Sequence, residues 1–453
     1  MPDETLETRL IRLEVGTGGI SASQPAPQTS SAPPSLEDLP FEIQRLILSQ
    51  APTLDTLSAL AHASPQFYRV YVQDRRWILR HFVEQTLACV LVDAHAAYLS
   101  GGDEFQQTRT EPLLWNFLHS YQHRRTTIAA SDLAMQLPLE DVIQLARFHR
   151  SVIEPLTERY SIWALAALSS SPEDYPLSRT ETRRIQRALY RYEIFCNVCG
   201  SRGEGCSAPR YIRDETQRTR VLALFPAWQI EEILCVHEFA KDTYGSVFDR
   251  VAWDLDEERN PRYRHIDMTS VSEDLLLFRY PECYINEEPL ESILRHGLSV
   301  LSAVFNIADH DKLVELVRQS IISVRGDHRG GRYSKWIDYI ILSDYQDTRR
   351  QLWYSEHDAA QDRKEKTPFD KDSPDLPPLA WVTFWKGEAS NFFGNYVPAT
   401  FRRWGFVMWD GPRLEASGAL GHMEVQGGWP GGDPREDPFD YPTPYAEAWT
   451  GDV

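Results

Sequence analysis

The stretch that most constrains this chain is Leu39 to Leu79, LPFEIQRLILSQAPTLDTLSALAHASPQFYRVYVQDRRWIL, where helix-start signals and apolar spacing recur three times. Leu39-Pro40 opens the first helix, because proline is tolerated in a first turn where its missing N–H is not needed. Ile43, Leu46, Ile47 and Leu48 then recur at helical spacing and give a broad apolar face. Pro52-Thr53 ends that helix, and the Thr53 hydroxyl can cap a second one carrying Leu54, Leu57, Leu60 and Ala61. Ser64-Pro65 repeats the device and starts a third, short helix with Phe67, Tyr68, Val70 and Tyr71, after which Asp74 leads into Trp77, Ile78 and Leu79. Three such helices bury little surface by themselves, so the unit is expected to need a partner surface.

The rest of the chain also reads as helical. Apolar spacing of three to four residues recurs over Phe82–Leu99, Pro138–Ile153, Ser161–Leu168, Trp228–Thr243, Leu290–Phe305, Lys312–Val324 and Lys335–Leu342. Ser178-Arg-Thr-Glu181 is a capping box, in which serine and glutamate satisfy each other's helix-end N–H groups, and it opens a helix to about Cys199. In that helix Ile185, Leu189, Tyr192 and Phe195 face one way, and Arg183, Arg184, Arg187 and Arg191 are expected to form a solvated, salt-bridged face. No period of 20 to 50 residues repeats, which removes the common repeat architectures. Residues 355–379 are charged and proline-rich and are expected to form a long surface loop. Residues 1–34 are rich in Ser, Gly, Pro and Thr, a composition that cannot offset the entropy of ordering. The expected class is therefore mainly α: a disordered leader over 1–34, a three-helix unit over 35–80, a larger and mostly helical C-terminal domain without recognisable repeats over 81–425, and an irregular tail over 426–453. A chain of 453 residues exceeds what one ordinary core serves.

Charge and cysteine usage exclude several classes. A formal net charge of −19 argues against nucleic acid as a main ligand, because phosphate binding requires a basic face. Six cysteines in so long a chain are no disulfide framework. The N-terminus lacks a basic segment followed by an apolar one, and the apolar run Leu87 to Leu99 is broken by Asp93 and His95. The expected setting is intracellular, cytoplasmic and/or nuclear, with no membrane partner.

Several patterns tempt a chemical reading and fall short. Cys196-x-x-Cys199 with Cys206 has thiolate spacing that could share a metal, but the fourth ligand would have to come from afar, from Cys235 or His237. Small buried apolar roles suit these cysteines better. His237-Glu238 is followed by Lys241 where a zinc protease needs its second histidine. The acidic run Asp254, Asp256, Glu257, Glu258 has Arg259 where a calcium loop needs glycine. The glycine-rich loop Arg325 to Arg332 lacks the order that cradles phosphate. No metal, cofactor or catalytic residue is expected. Trp381, Trp385, Trp404 and Trp409 are expected to serve as core, with a pocket among them as the lesser alternative.

The string Leu39, Pro40, Glu42, Ile43, Ile47, Leu48 resembles the F-box family, whose pattern has Leu-Pro, one residue, Glu-Ile, three residues, then Ile-Leu. Leu57, Leu60 and Trp77 also fall where that family has its second-helix leucines and closing tryptophan. The chain departs from the pattern at Ala63, Ser64, Pro65, Gln66 and Phe67, where many members carry Val-Cys-Arg-x-Trp, and at Ala51, where a larger apolar residue is usual. ALYRYEIFCNVCG (188–200), FPAWQIEEILCVHEF (225–239) and RRWGFVMWD (402–410) are similar to strings in F-box-like proteins of filamentous fungi. The resemblance implies a substrate-receptor subunit that docks the Skp-type adaptor of a cullin ubiquitin ligase and holds a protein target through its C-terminal domain. It implies adaptor contact by Leu39, Pro40, Ile43, Ile47, Leu48, Leu57 and Leu60, some of which must instead pack the unit's own core. The alternative is a non-catalytic scaffold whose F-box-like helices pack permanently on its own body. That alternative expects the face from Ile43 to Leu60 to be buried internally, whereas the first leaves it partly exposed.

Overall fold

A computed structural model describes residues 35–168, 176–200, 214–255, 287–324, 337, 342–388 and 391–426. The expected leader, the tail from Gly427, Cys206 and Cys283, the loop 325–332, most of Lys335–Leu342 and the acidic run beyond Leu255 lie outside the described residues. The described chain is mainly α-helical, with no strand among its elements. It divides into two compact units: residues 35–91 with 129–150, and residues 92–128 with the chain from 151 onward.

The first unit contains α1 (Phe41–Ser49), α2 (Leu54–Ala63) and α3 (Pro65–Leu87). Pro40 is the residue just before the first turn of α1, and its carbonyl accepts the opening hydrogen bonds from the amides of Ile43 and Gln44. Thr53 caps α2 by accepting from the Thr56 amide at 3.1 Å, and Ser64 caps α3 by accepting from the Phe67 amide at 3.2 Å, with Pro65 as the first helical residue. The third helix is not short. It runs through the boundary expected at residue 80 and ends at Leu87, so the single helix expected over Phe82–Leu99 is split, with a new helix beginning at Leu91. Asp74 marks a kink in α3, with φ −117° and ψ 23°. Arg45 of α1 pairs with the Asp74 carboxylate at 2.9 Å and lies 4.3 Å over the Trp77 ring, which ties α1 to that kink.

The partner surface that three helices require comes in part from later in the chain. Helices Ala130–Gln136 and Leu139–Phe148 pack on α3, bringing Leu133, Leu137, Val142 and Leu145 to a core with Leu48, Leu57, Phe67, Val70 and Ile78. Arg80 is buried there, and its guanidinium donates to the Leu137 carbonyl.

The second unit is organised on two long helices that pack on each other, Arg179–Cys199 and Ala227–Leu255. The capping box at Ser178 and Glu181 is present as read from the sequence. The arginine row is not solvated: Arg184, Arg187 and Arg191 are buried, which corrects the expected face. Trp381, Trp385 and Trp409 are core residues among Phe384, Phe401 and Phe406, with ring centroids 4.9 to 6.3 Å apart in the pairs Trp381–Trp385, Trp381–Phe406 and Phe384–Trp385, whereas Trp404 is half-buried.

Two further expectations change. The surface loop over 355–379 begins instead with a helix, Glu356–Asp362, opened by a capping box between Ser355 and Asp358, with Asp358 and Gln361 buried. The helix expected over Leu290–Phe305 is two, Glu287–Leu294 and Gly297–Asn306. Gly297 has φ +74°, and a Cβ there would lie 2.4 Å from the Glu193 carboxylate, which accepts the Leu298 amide at 2.6 Å. Only glycine fits that break without strain.

Candidate functional site

Helix α1 is apolar where a surface helix should be polar. Ile43 and Leu46 are 42% and 44% exposed, while Gln44 between them is 0% exposed. An ordinary amphipathic helix places its polar residues outward and its apolar stripe inward. Covering the two exposed side chains would gain about 1 kcal/mol each, half of what full burial of such a residue yields. Leu36, in the short 3₁₀ turn Leu36–Asp38 ahead of α1, is 58% exposed as well.

The structure divides the seven residues singled out from the sequence. Leu48 and Leu57, 0% and 3% exposed, pack the core of the unit. Pro40 and Ile43 are exposed, and Leu39, Ile47 and Leu60 are half-buried. Ile43 and Ile47, four residues apart within α1, share one side of that helix, while Leu39 precedes it in extended backbone with φ −69° and ψ 147°. Leu36, Leu46 and Gln44 are not among those seven. Leu46 was legible as apolar at helical spacing. Gln44 was not, because nothing local marks a buried glutamine.

A buried polar group must be hydrogen-bonded or it costs stability. The Gln44 amide donates to the Glu37 carbonyl at 2.9 Å and to the Leu36 carbonyl at 3.3 Å, and its oxygen accepts from Gln66 at 3.4 Å. The border of the face is acidic, with Glu37, Asp38 and Glu42 exposed, while Arg45 is drawn off to Asp74.

In the second unit, charged groups concentrate in the interior and are matched by counter-charges. Arg184 donates to Asp410 at 2.9 Å and to the carbonyls of Ser373 and Trp409 at 3.2 Å. Arg402 grips Glu231 at 2.8 and 3.1 Å, and Arg413 reaches Glu181 at 2.7 Å. Arg191 donates to Asp93 at 3.1 Å, and the Tyr121 hydroxyl donates to the same carboxylate. Burial would raise the Asp93 pKa, but Arg191 and Arg125 outweigh it and hold the carboxyl below its usual range. Asp410 goes the other way: burial, with Asp372 and Glu181 nearby, raises it against the pull of Ser178 and Arg184. These are structural pairings rather than an open constellation of acids and bases. A cleft lined by Tyr345, Arg349, Arg350, Tyr354, Asp358 and Asp362 holds only about 20 Å³, room for a single water, and both its arginines are paired with its carboxylates.

No helix among the described residues is long and apolar enough to cross a membrane. No family model, curated protein or solved structure matches the chain.

Proposed function

We propose that the chain is a substrate receptor whose α1 face docks the Skp-type adaptor of a cullin ubiquitin ligase, with the second unit holding a protein target. The observation that carries this reading is the pair of exposed apolar residues on α1, Ile43 and Leu46, which face solvent within the stretch that resembles the F-box. A scaffold with these helices packed permanently on its own body calls for that face to be covered, so the exposure favours the receptor. The mechanism is tethering: holding target and ubiquitin-carrying enzyme on one assembly raises their effective concentration without a chemical step by this chain. The test is co-purification of the intact chain with the Skp-type adaptor, beside the Leu39→Ala/Pro40→Ala variant. Retention of adaptor by the intact chain and its loss in the variant is the expected result. No retention by the intact chain overturns the reading.

A further inference from the structure

We infer that Gln44 is a positioning residue for the docking face, fixing the turn Leu36–Asp38 so that Leu36 becomes part of it; this rests on the adaptor-docking reading above. The turn has little to hold it in place. Its own hydrogen bonds all stay within Ser35–Leu39: the capping box between Ser35 and Asp38, the Asp38 amide to the Ser35 carbonyl at 3.0 Å, the Glu37 amide to the Ser35 hydroxyl at 3.2 Å and the Leu39 amide to the Leu36 carbonyl at 3.5 Å; none of its residues is buried. Three residues with no buried side chain cannot offset their own ordering entropy. The tie to the rest of the unit is the Gln44 side chain, whose amide bonds two successive carbonyls of the turn from within the inward face of α1. A glutamine at a fully buried helix position is costly unless both ends are satisfied, and here the Leu36 and Glu37 carbonyls and Gln66 satisfy them. The turn carries Leu36, more exposed than Ile43 or Leu46, directly into Leu39 and Pro40. The occupant of the extended face is the same adaptor, which would therefore contact a segment ahead of the Leu-Pro start as well as α1 itself.

The experiment is a double-substitution cycle on the intact chain, using Gln44→Met, which keeps length and volume but removes the amide, and Leu36→Ala. Adaptor affinity is measured for the parent, both single variants and the double variant, with hydrogen exchange read at the Asp38 and Leu39 amides. Each single change should weaken adaptor binding several-fold, and the double variant should be no weaker than Gln44→Met alone, because a released turn no longer presents Leu36. Exchange at Asp38 and Leu39 should accelerate in Gln44→Met. Unchanged affinity in Gln44→Met, or losses that multiply in the double variant, would overturn the inference. If Gln44→Met fails to fold, Leu36→Asp at the exposed position decides alone: it weakens binding if the turn belongs to the face and leaves it unchanged if not. If the parent chain binds no adaptor, the docking reading fails, and the exchange rates in Gln44→Met still decide whether the glutamine holds the turn.

Discussion

Arg187 and Glu232 join the two long helices of the second unit through a two-pronged ion pair, at 2.6 and 3.0 Å, with both side chains almost wholly removed from water. Desolvating two charges costs several kcal/mol each, and only close geometry repays it. Removing one partner strands the other in the interior. Arg187→Ala or Glu232→Ala should therefore cost about 3–5 kcal/mol in denaturant unfolding, while the paired change Arg187→Met/Glu232→Leu should recover most of that loss. Single changes costing under about 1 kcal/mol, the usual worth of a surface pair, would show that the pair is solvated.

The same pair marks what could be read from the chain and what could not. Local signals were legible: Thr53 and Ser64 cap their helices through bonds that span three residues, and so does Ser178 with Glu181. The arginine row looks solvated from sequence because its counter-charges lie far off in the chain, Glu232 for Arg187 and Asp410 for Arg184. Helical spacing shows that residues share a face, but it does not show what that face meets. On α1 the ambiguity was sharper still. Apolar residues occupy both sides of the helix, and the inward side carries Gln44 beside Leu48, the glutamine amide bonding two backbone carbonyls that no side-chain pattern reveals. Leu48 and Ile43 were therefore indistinguishable until packing separated them. The helix at Glu356 is hidden in the sequence although Ser355 and Asp358 form a capping box, because the charge and proline content around it masks that single signal.

Two buried histidines should make both units lose stability in mild acid. Burial and the adjacent Arg124 lower the His95 pKa to about 4, and burial lowers that of His149 to about 4. Arg124 donates to Nδ1 of His95 at 2.9 Å, a bond that requires the neutral ring. A folded-state pKa below the unfolded value of about 6.5 means that the unfolded chain binds the proton first, so stability is level above that pH and falls between about 6.5 and 4. Each histidine should account for a loss on the order of 2 kcal/mol at pH 5. Denaturant unfolding at pH 7 and pH 5 checks this, and His149→Gln should flatten the dependence in the first unit. A slope unchanged by that substitution would contradict the assignment.

Gly297→Ala should destabilise the second unit. The left-handed backbone costs a residue with a Cβ about 1–2 kcal/mol, and the new carbon would also displace the Glu193 carboxylate from the Leu298 amide. Glu193→Gln, which keeps the shape and an acceptor, should cost less. Thermal melts of the two variants give the order, and a Gly297→Ala chain that melts with the parent would contradict the account.

Arg45 should matter for the shape of the first unit more than for its stability. Its pair with Asp74 and its stack on Trp77 are half-exposed, so Arg45→Met should cost about 1 kcal/mol. Exchange of the α3 amides around the Asp74 kink should nevertheless quicken in that variant. Unaltered exchange there would show that the kink stands without α1.

The most direct test is calorimetric titration of the Skp-type adaptor into the intact chain and into its Ile43→Asp/Leu46→Asp variant. Both side chains are exposed, so the fold should survive the change within about 0.5 kcal/mol for each site. Binding by the parent that weakens at least about 30-fold in the variant, the loss of one strong anchor, is the predicted result. Equal affinity in the two chains would contradict the claim that the outward face of α1 is where the partner docks.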